Sequence, residues 1–81
     1  MTKNKQQIID DGRYAERLLD DADFNRMLDE IKGDCHLQFE LTDIGDKDGR
    51  EAIYMKLRGV EAVRQALRAM IDNASIEIKA K

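Results

Sequence analysis

A long run of helical periodicity, over residues 50–73, constrains this chain more than any other feature. Large apolar side chains recur along it at intervals of three and four residues: Ile53, Leu57, Val60, Val63, Leu67, Met70 and Ile71. Strong helix formers fill most of the positions between them. The sequence contains no proline, whose ring would interrupt a helix. The pattern therefore predicts one continuous helix over residues 50–73.

Two further helical patterns precede this run. Ile8, Ala15, Leu18, Leu19 and Ala22 have helical spacing, with Gly12 as a weak point in the middle. A second face consists of Phe24, Met27, Leu28, Ile31, Cys35, Phe39 and Thr42, and Asp21 or Asp23 is placed to cap its start. We therefore predict an all-α fold: an antiparallel helical hairpin with a short N-terminal helix folded against it or extended. The predicted organisation is a disordered lead over residues 1–7, a single helical domain over 8–74 and a C-terminal tail over 75–81.

The residues leave a second architecture open. Gly33 resembles a helix stop, and Leu37, Phe39 and Leu41 alternate with polar residues as in a half-buried strand. Residues 51–57 alternate in a similar way, and Asp48-Gly49 is a dipeptide typical of hairpin turns. The alternative is an α+β fold with a small antiparallel sheet from residues 36–43, 51–57 and 75–79. We favour the helical hairpin.

Size and charge restrict the function classes. An 81-residue chain with 5% aromatic and 38% charged residues builds only a small core, so we expect a homo-oligomer. The single cysteine and the absence of an apolar N-terminal stretch indicate the cytoplasm, and no apolar run is long enough for a membrane helix. A net charge of −3, with acids and bases interleaved, argues against nucleic-acid binding.

The acidic segment "DIGDKDG", residues 43–49, invites comparison with a calcium-binding loop. With Gly49 at the sixth position of an EF-hand, Ile44 and Met55 occupy the first and twelfth positions, where carboxylates are required. We therefore predict no metal site here. Asp46 or Asp48 instead accepts hydrogen bonds from the free amides that open the long helix.

Cys35 and His36 are neighbours, but they do not form a catalytic or zinc-binding pair. Neighbouring helical residues point about 100° apart, and zinc needs four ligands. We predict a buried Cys35 and an exposed His36. No residue set of a known catalytic type is present, so the sequence predicts no enzyme, no catalytic residues, no metal and no cofactor.

A strip of mostly small residues runs along the long helix beside its large apolar residues. Its members are Met55, Gly59, Ala62, Ala66 and Ala69. Glycine costs about 1 kcal/mol relative to alanine inside a helix, which is understandable if another backbone approaches closely there. We predict that this small-residue strip is the interface with a second subunit.

The runs "AERLLDDADFNRMLDEI" and "GREAIYMKLRGVEAVRQALRAMIDN" give the chain a family resemblance over residues 15–74. It resembles small helical proteins encoded in the head and tail morphogenesis modules of tailed phages and prophages. The resemblance rests on Leu18, Leu19, Phe24, Leu28, Ile31, Thr42, Arg50, Glu51, Tyr54, Leu57, Leu67 and Ile71. Such proteins are non-enzymatic and often oligomeric.

The resemblance implies an accessory of phage or prophage assembly that acts by helix docking and self-association in the bacterial cytoplasm or in the virion. Its partner is then another copy or another phage structural protein. The alternative function is a small nucleic-acid-binding helper. That function needs five arginines gathered on one face: Arg13, Arg17, Arg58, Arg64 and Arg68.

Overall fold

The computed structural model describes residues 2–80, which form three α-helices. Helix α1 spans Lys5–Asp20, α2 spans Ala22–Leu41 and α3 spans Lys47–Lys79. No strand occurs between residues 2 and 80. The predicted all-α class is therefore confirmed, and the α+β alternative, with strands at 36–43, 51–57 and 75–79, is wrong.

The long α3 is the central element, and both α1 and α2 pack against it. Helix α2 runs antiparallel to α3, because Lys32 pairs with Glu61 while Phe39, farther along α2, covers Arg50 near the start of α3. Helix α1 lies along the C-terminal part of α3. The three helices form an elongated body of 56 × 28 × 17 Å.

The closest approach between helices lies where Gly12 of α1 meets α3. Gly12 is buried, and a methyl group at this position would collide with the Ala74 side chain and lie 2.8 Å from the Met70 carbonyl oxygen. Ala15, one turn later on α1, is also buried. Gly12 was predicted only as a weak point of its helix, whereas the structure gives it a packing role.

A single residue, Asp21, joins α1 to α2. Its backbone N–H donates to the Leu18 carbonyl at the end of α1, and its carboxylate accepts from the N–H groups of Asp23 and Phe24 at the start of α2. The Asn25 side chain also donates to the Leu19 carbonyl at 2.7 Å. The predicted cap at Asp21 is confirmed, and it ends one helix while starting the next.

The glycine and the alternation at residues 33–41 do not interrupt α2. No glycine among residues 2–80 has a positive φ, so Gly33 sits in ordinary helical geometry with open space beside it. Leu37 and Leu41, which alternate with polar residues in the sequence, lie on the solvent-facing side of α2 and are 55% and 78% exposed. Packing of Cys35 and Phe39 beside the first turns of α3 keeps this segment helical.

The helices extend beyond their predicted limits at both ends of the described chain. Helix α1 begins at Lys5, within the predicted lead, because Asn4 and Gln7 form a capping box. Helix α3 begins after Asp46, whose side chain accepts from the Gly49 N–H at 3.0 Å, as predicted. It continues through the predicted tail to Lys79, where Ala74 packs against α1. Residues 1 and 81 lie outside the described chain.

The core of residues 2–80 is small. Its buried apolar side chains are Ala15, Leu28, Cys35, Val60 and Ala74, and three of these five are alanine or cysteine. More large apolar side chains are exposed than buried. None of the helices between residues 2 and 80 combines the length and apolar content needed to cross a membrane.

Candidate interaction surface

The contact between α2 and α3 has a charged side. Arg64 of α3 donates to the Asp29 carboxylate at 2.8 Å and lies 3.7 Å from that of Glu61, while Lys32 donates to Glu61 at 2.5 Å. The Arg64 side chain is only 13% exposed. These four residues, Asp29, Lys32, Glu61 and Arg64, form what we call the ion-pair seam.

The ion-pair seam sets the protonation of its central carboxylate. A hydrogen bond from the Lys32 ammonium group, followed by the charge of that group, lowers the pKa of Glu61. The charges of Arg64 and Arg68 act in the same direction, whereas desolvation opposes them. Glu61 therefore stays ionised near neutral pH. Ion pairs cover this side of the contact between α2 and α3.

The opposite side of the same helix pair is apolar. At about 100° of rotation per residue, Met27 and Ile31 lie on one side of Leu28, and the ion-pair residues of α2 lie on its other side. On α3, Val63 lies on one side of Val60, and the ion-pair residues Glu61 and Arg64 lie on its other side. Met27, Ile31 and Val63 are 52%, 47% and 44% exposed, so the chain itself covers only about half of each side chain.

This apolar side continues along α1. Tyr14 and Leu18 of α1 line a shallow hollow together with Leu67 and Met70 of α3. Leu67 and Met70 follow Val63 by four and seven residues and so share its face of the helix. The Lys3–Asp11 ion pair borders the far end of the hollow. We define the apolar flank as Tyr14, Leu18, Met27, Ile31, Val63 and Met70.

The small-residue strip adjoins the apolar flank on α3. Gly59 and Ala66 lie four and three residues from Val63 and border it, whereas Ala62 points about 100° away from Val63. Met55 is 62% exposed, and Gly59, Ala62, Ala66 and Ala69 are all exposed. A methyl group at Gly59 would meet no atom of the chain within 4 Å. No intramolecular approach therefore explains this glycine, and the predicted contact with a second subunit stays a prediction.

The other residues singled out in the sequence have structural positions. Cys35 is buried, at 4% exposure, and His36 is exposed, as predicted. Both border a small hollow with Phe39, Ile53 and Leu57, which are apolar. The position of Cys35 between α2 and α3 therefore reflects packing.

The described chain offers no cluster for metal binding. No group of three or more His, Cys, Asp or Glu side chains in residues 2–80 is arranged to hold a metal ion. The acidic segment places Asp46 at the cap of α3 rather than in a ligand cage.

The apolar flank was not identified from the sequence. Met27 and Ile31 were assigned to the general apolar face of the second helix, and Val63 and Met70 to that of the third. The available signal was the width of the α2 face, because the set Phe24, Met27, Leu28, Ile31 and Cys35 spans about 100° of the helix. One neighbouring helix does not cover so wide a face.

Known proteins give no guide to this surface. Comparison with family models, curated proteins and solved structures finds no match to the chain.

Proposed function

We propose that the chain is a non-enzymatic interaction protein that acts by docking its helical surfaces against other helices, including those of further copies of itself. The supporting observation is its exposed surface. The chain has an accessible surface of 6378 Å², whereas a compact monomer of its mass exposes about 5,000 Å². The surplus is of the size that a specific protein interface covers, about 800 Å² or more per partner.

The composition of the exposed surface supports the same proposal. Half-exposed apolar side chains lie in a row along the apolar flank, whereas an ordinary monomer scatters them singly. The small core leaves little to stabilise an isolated chain of this length. Association supplies the missing apolar contacts.

The proposed biological setting is phage or prophage particle assembly in a bacterial cell. The family resemblance over residues 15–74 supports this setting, and the three-helix fold is compatible with it. In this role the small-residue strip is the surface for docking against another phage structural protein. Its small side chains permit a close approach of a partner helix.

Self-association is tested by measuring the mass in solution. Light scattering or sedimentation at tens of micromolar should give more than the mass of one chain, and the thermal midpoint should rise with protein concentration. A strict monomer with a concentration-independent midpoint would contradict the proposal.

The alternative, a nucleic-acid-binding helper, has weaker support. Arg64 is already engaged by two carboxylates and is mostly covered. Arg17 lies over the Tyr14 ring on α1. Retention on heparin or DNA at moderate salt, lost gradually as salt rises, would favour this alternative.

A further inference from the structure

We infer that the apolar flank, and not the side of α3 at Ala62 of the small-residue strip, is where a second copy of this chain docks, so that the helices of the two chains stack as two layers. This inference rests on the proposed self-association and identifies its surface. It differs from the sequence prediction, which assigned the contact between subunits to the strip.

The first reason is that the hairpin forms only one layer of helices. Folded domains bury their apolar faces between at least two layers. The ion-pair seam already occupies one side of the α2–α3 pair, and its charged groups have their partners. The apolar flank lies on the other side, where Met27, Ile31 and Val63 remain about half exposed. A second layer is therefore missing on the flank side.

The second reason is that the flank is suited to its own copy. Two-fold pairing brings the same patch of both chains together, so the patch must be self-complementary. The six residues of the flank are uncharged. At its α1 end, Lys3 and Asp11 neutralise each other as an ion pair, and Arg17 lies over the Tyr14 ring. Two chains that pair in this way enclose Met27, Ile31 and Val63 between two layers of helices.

The third reason is the area involved. A compact protein of twice the mass exposes about 8,200 Å². Two separate copies, each with 6378 Å², would therefore bury about 4,500 Å² in forming a compact dimer, within the roughly 2,000–5,000 Å² of obligate homodimers. A dimer removes the surplus surface without a further component.

Two neighbouring residues on α3 distinguish the candidate surfaces. Val63 belongs to the flank and Ala62 to the strip, and both are exposed in the single chain. We expect Val63→Arg to raise the concentration needed for dimer formation by at least about tenfold, because it places two charges inside the interface. Ala62→Arg, the matched control, should change it by less than about twofold. The reverse order would overturn the inference and leave self-association intact.

A second measurement does not require the dimer to be disrupted. Val63→Cys and Ala62→Cys place a thiol on either surface, and the buried Cys35 reports unfolding because it reacts only when the chain opens. For a dimer with a Kd near 1 μM, raising the concentration from about 1 to about 100 μM should slow alkylation at position 63 about sevenfold. Position 62 should react at an unchanged rate. Equal rates at both positions in a protein that is dimeric by sedimentation would overturn the inference, and a monomeric parent would overturn the proposed function as well.

Discussion

Replacement of Gly12 by alanine tests the packing of α1 against α3 most directly. In most helices a change from glycine to alanine stabilises the folded protein, because alanine is favoured over glycine by about 1 kcal/mol in a helix interior. At Gly12 the added methyl group would collide with Ala74 and lie 2.8 Å from the Met70 carbonyl oxygen. The carbonyl belongs to the α3 backbone and cannot rotate away, so the two helices have to separate.

The expected net effect is destabilising. Overpacking a well-filled contact costs roughly 1–3 kcal/mol, and the gain in helix propensity offsets part of it. We expect Gly12→Ala to lower the free energy of unfolding by about 1–2 kcal/mol, which corresponds to about 6–12 °C in the thermal midpoint of a domain of this length.

Gly33→Ala is the matched control. Gly33 lies inside α2, and a methyl group there would meet no atom within 4 Å. We expect this variant to raise the midpoint by about 3–6 °C. Both variants are compared with the parent by far-UV circular dichroism at one protein concentration, because association shifts the midpoint.

The result that refutes the reasoning is a Gly12→Ala midpoint at or above that of the parent. A double-mutant cycle adds a further check, because Ala74→Gly removes one of the two colliding groups. In the Gly12→Ala background, Ala74→Gly should cost less than it does in the parent. Additive effects would show that the two residues do not meet.

Three further predictions concern a cap, a charge and the core. Asp46→Ala removes the acceptor for the Gly49 N–H and should cost about 1 kcal/mol of unfolding free energy in a denaturant titration; no change in the unfolding midpoint would contradict this capping role. The folded-state pKa of Glu61 lies below its usual value of 4.5, so its stabilising contribution is present above the unfolded-state pKa and is lost as the pH falls through the folded-state pKa. Glu61→Gln should therefore lose less stability than the parent on acidification from about pH 7 to about pH 3, and identical pH profiles would count against the Lys32 contact. Leu28→Ala should cost about 2–4 kcal/mol, whereas Leu37→Ala, at a site 55% exposed, should cost less than about 0.5 kcal/mol; similar costs would mean that the core is placed wrongly.

The sequence predicted the parts of the fold that depend on local chemistry. The apolar period over residues 50–73 predicted α3, and the carboxylates of Asp21 and Asp46 predicted two helix starts. The burial of Cys35 followed from its place on the apolar face of α2. Each of these features is determined by residues within a few turns of one another.

The features that the sequence did not predict depend on contacts between distant residues. Gly33 has the appearance of a helix stop until Cys35 and Phe39 are placed beside α3. Gly12 is a weak helix residue until Ala74 lies against it. The apolar flank shows the same limit, because helical spacing alone cannot tell whether Met27 faces α3 or lies beside it.

The junction at Asp21 has a consequence for how the sequence can change. Adding or deleting one residue between α1 and α2 would turn α2 by about 100° relative to α1. Such a change would carry Met27 and Ile31 out of phase with Val63, whereas residues 42–46 can absorb length changes because they lie outside the helices. We therefore expect natural variation in length at the α2–α3 loop and none at the junction, where Asp21 fixes the rotation of α2 relative to α1.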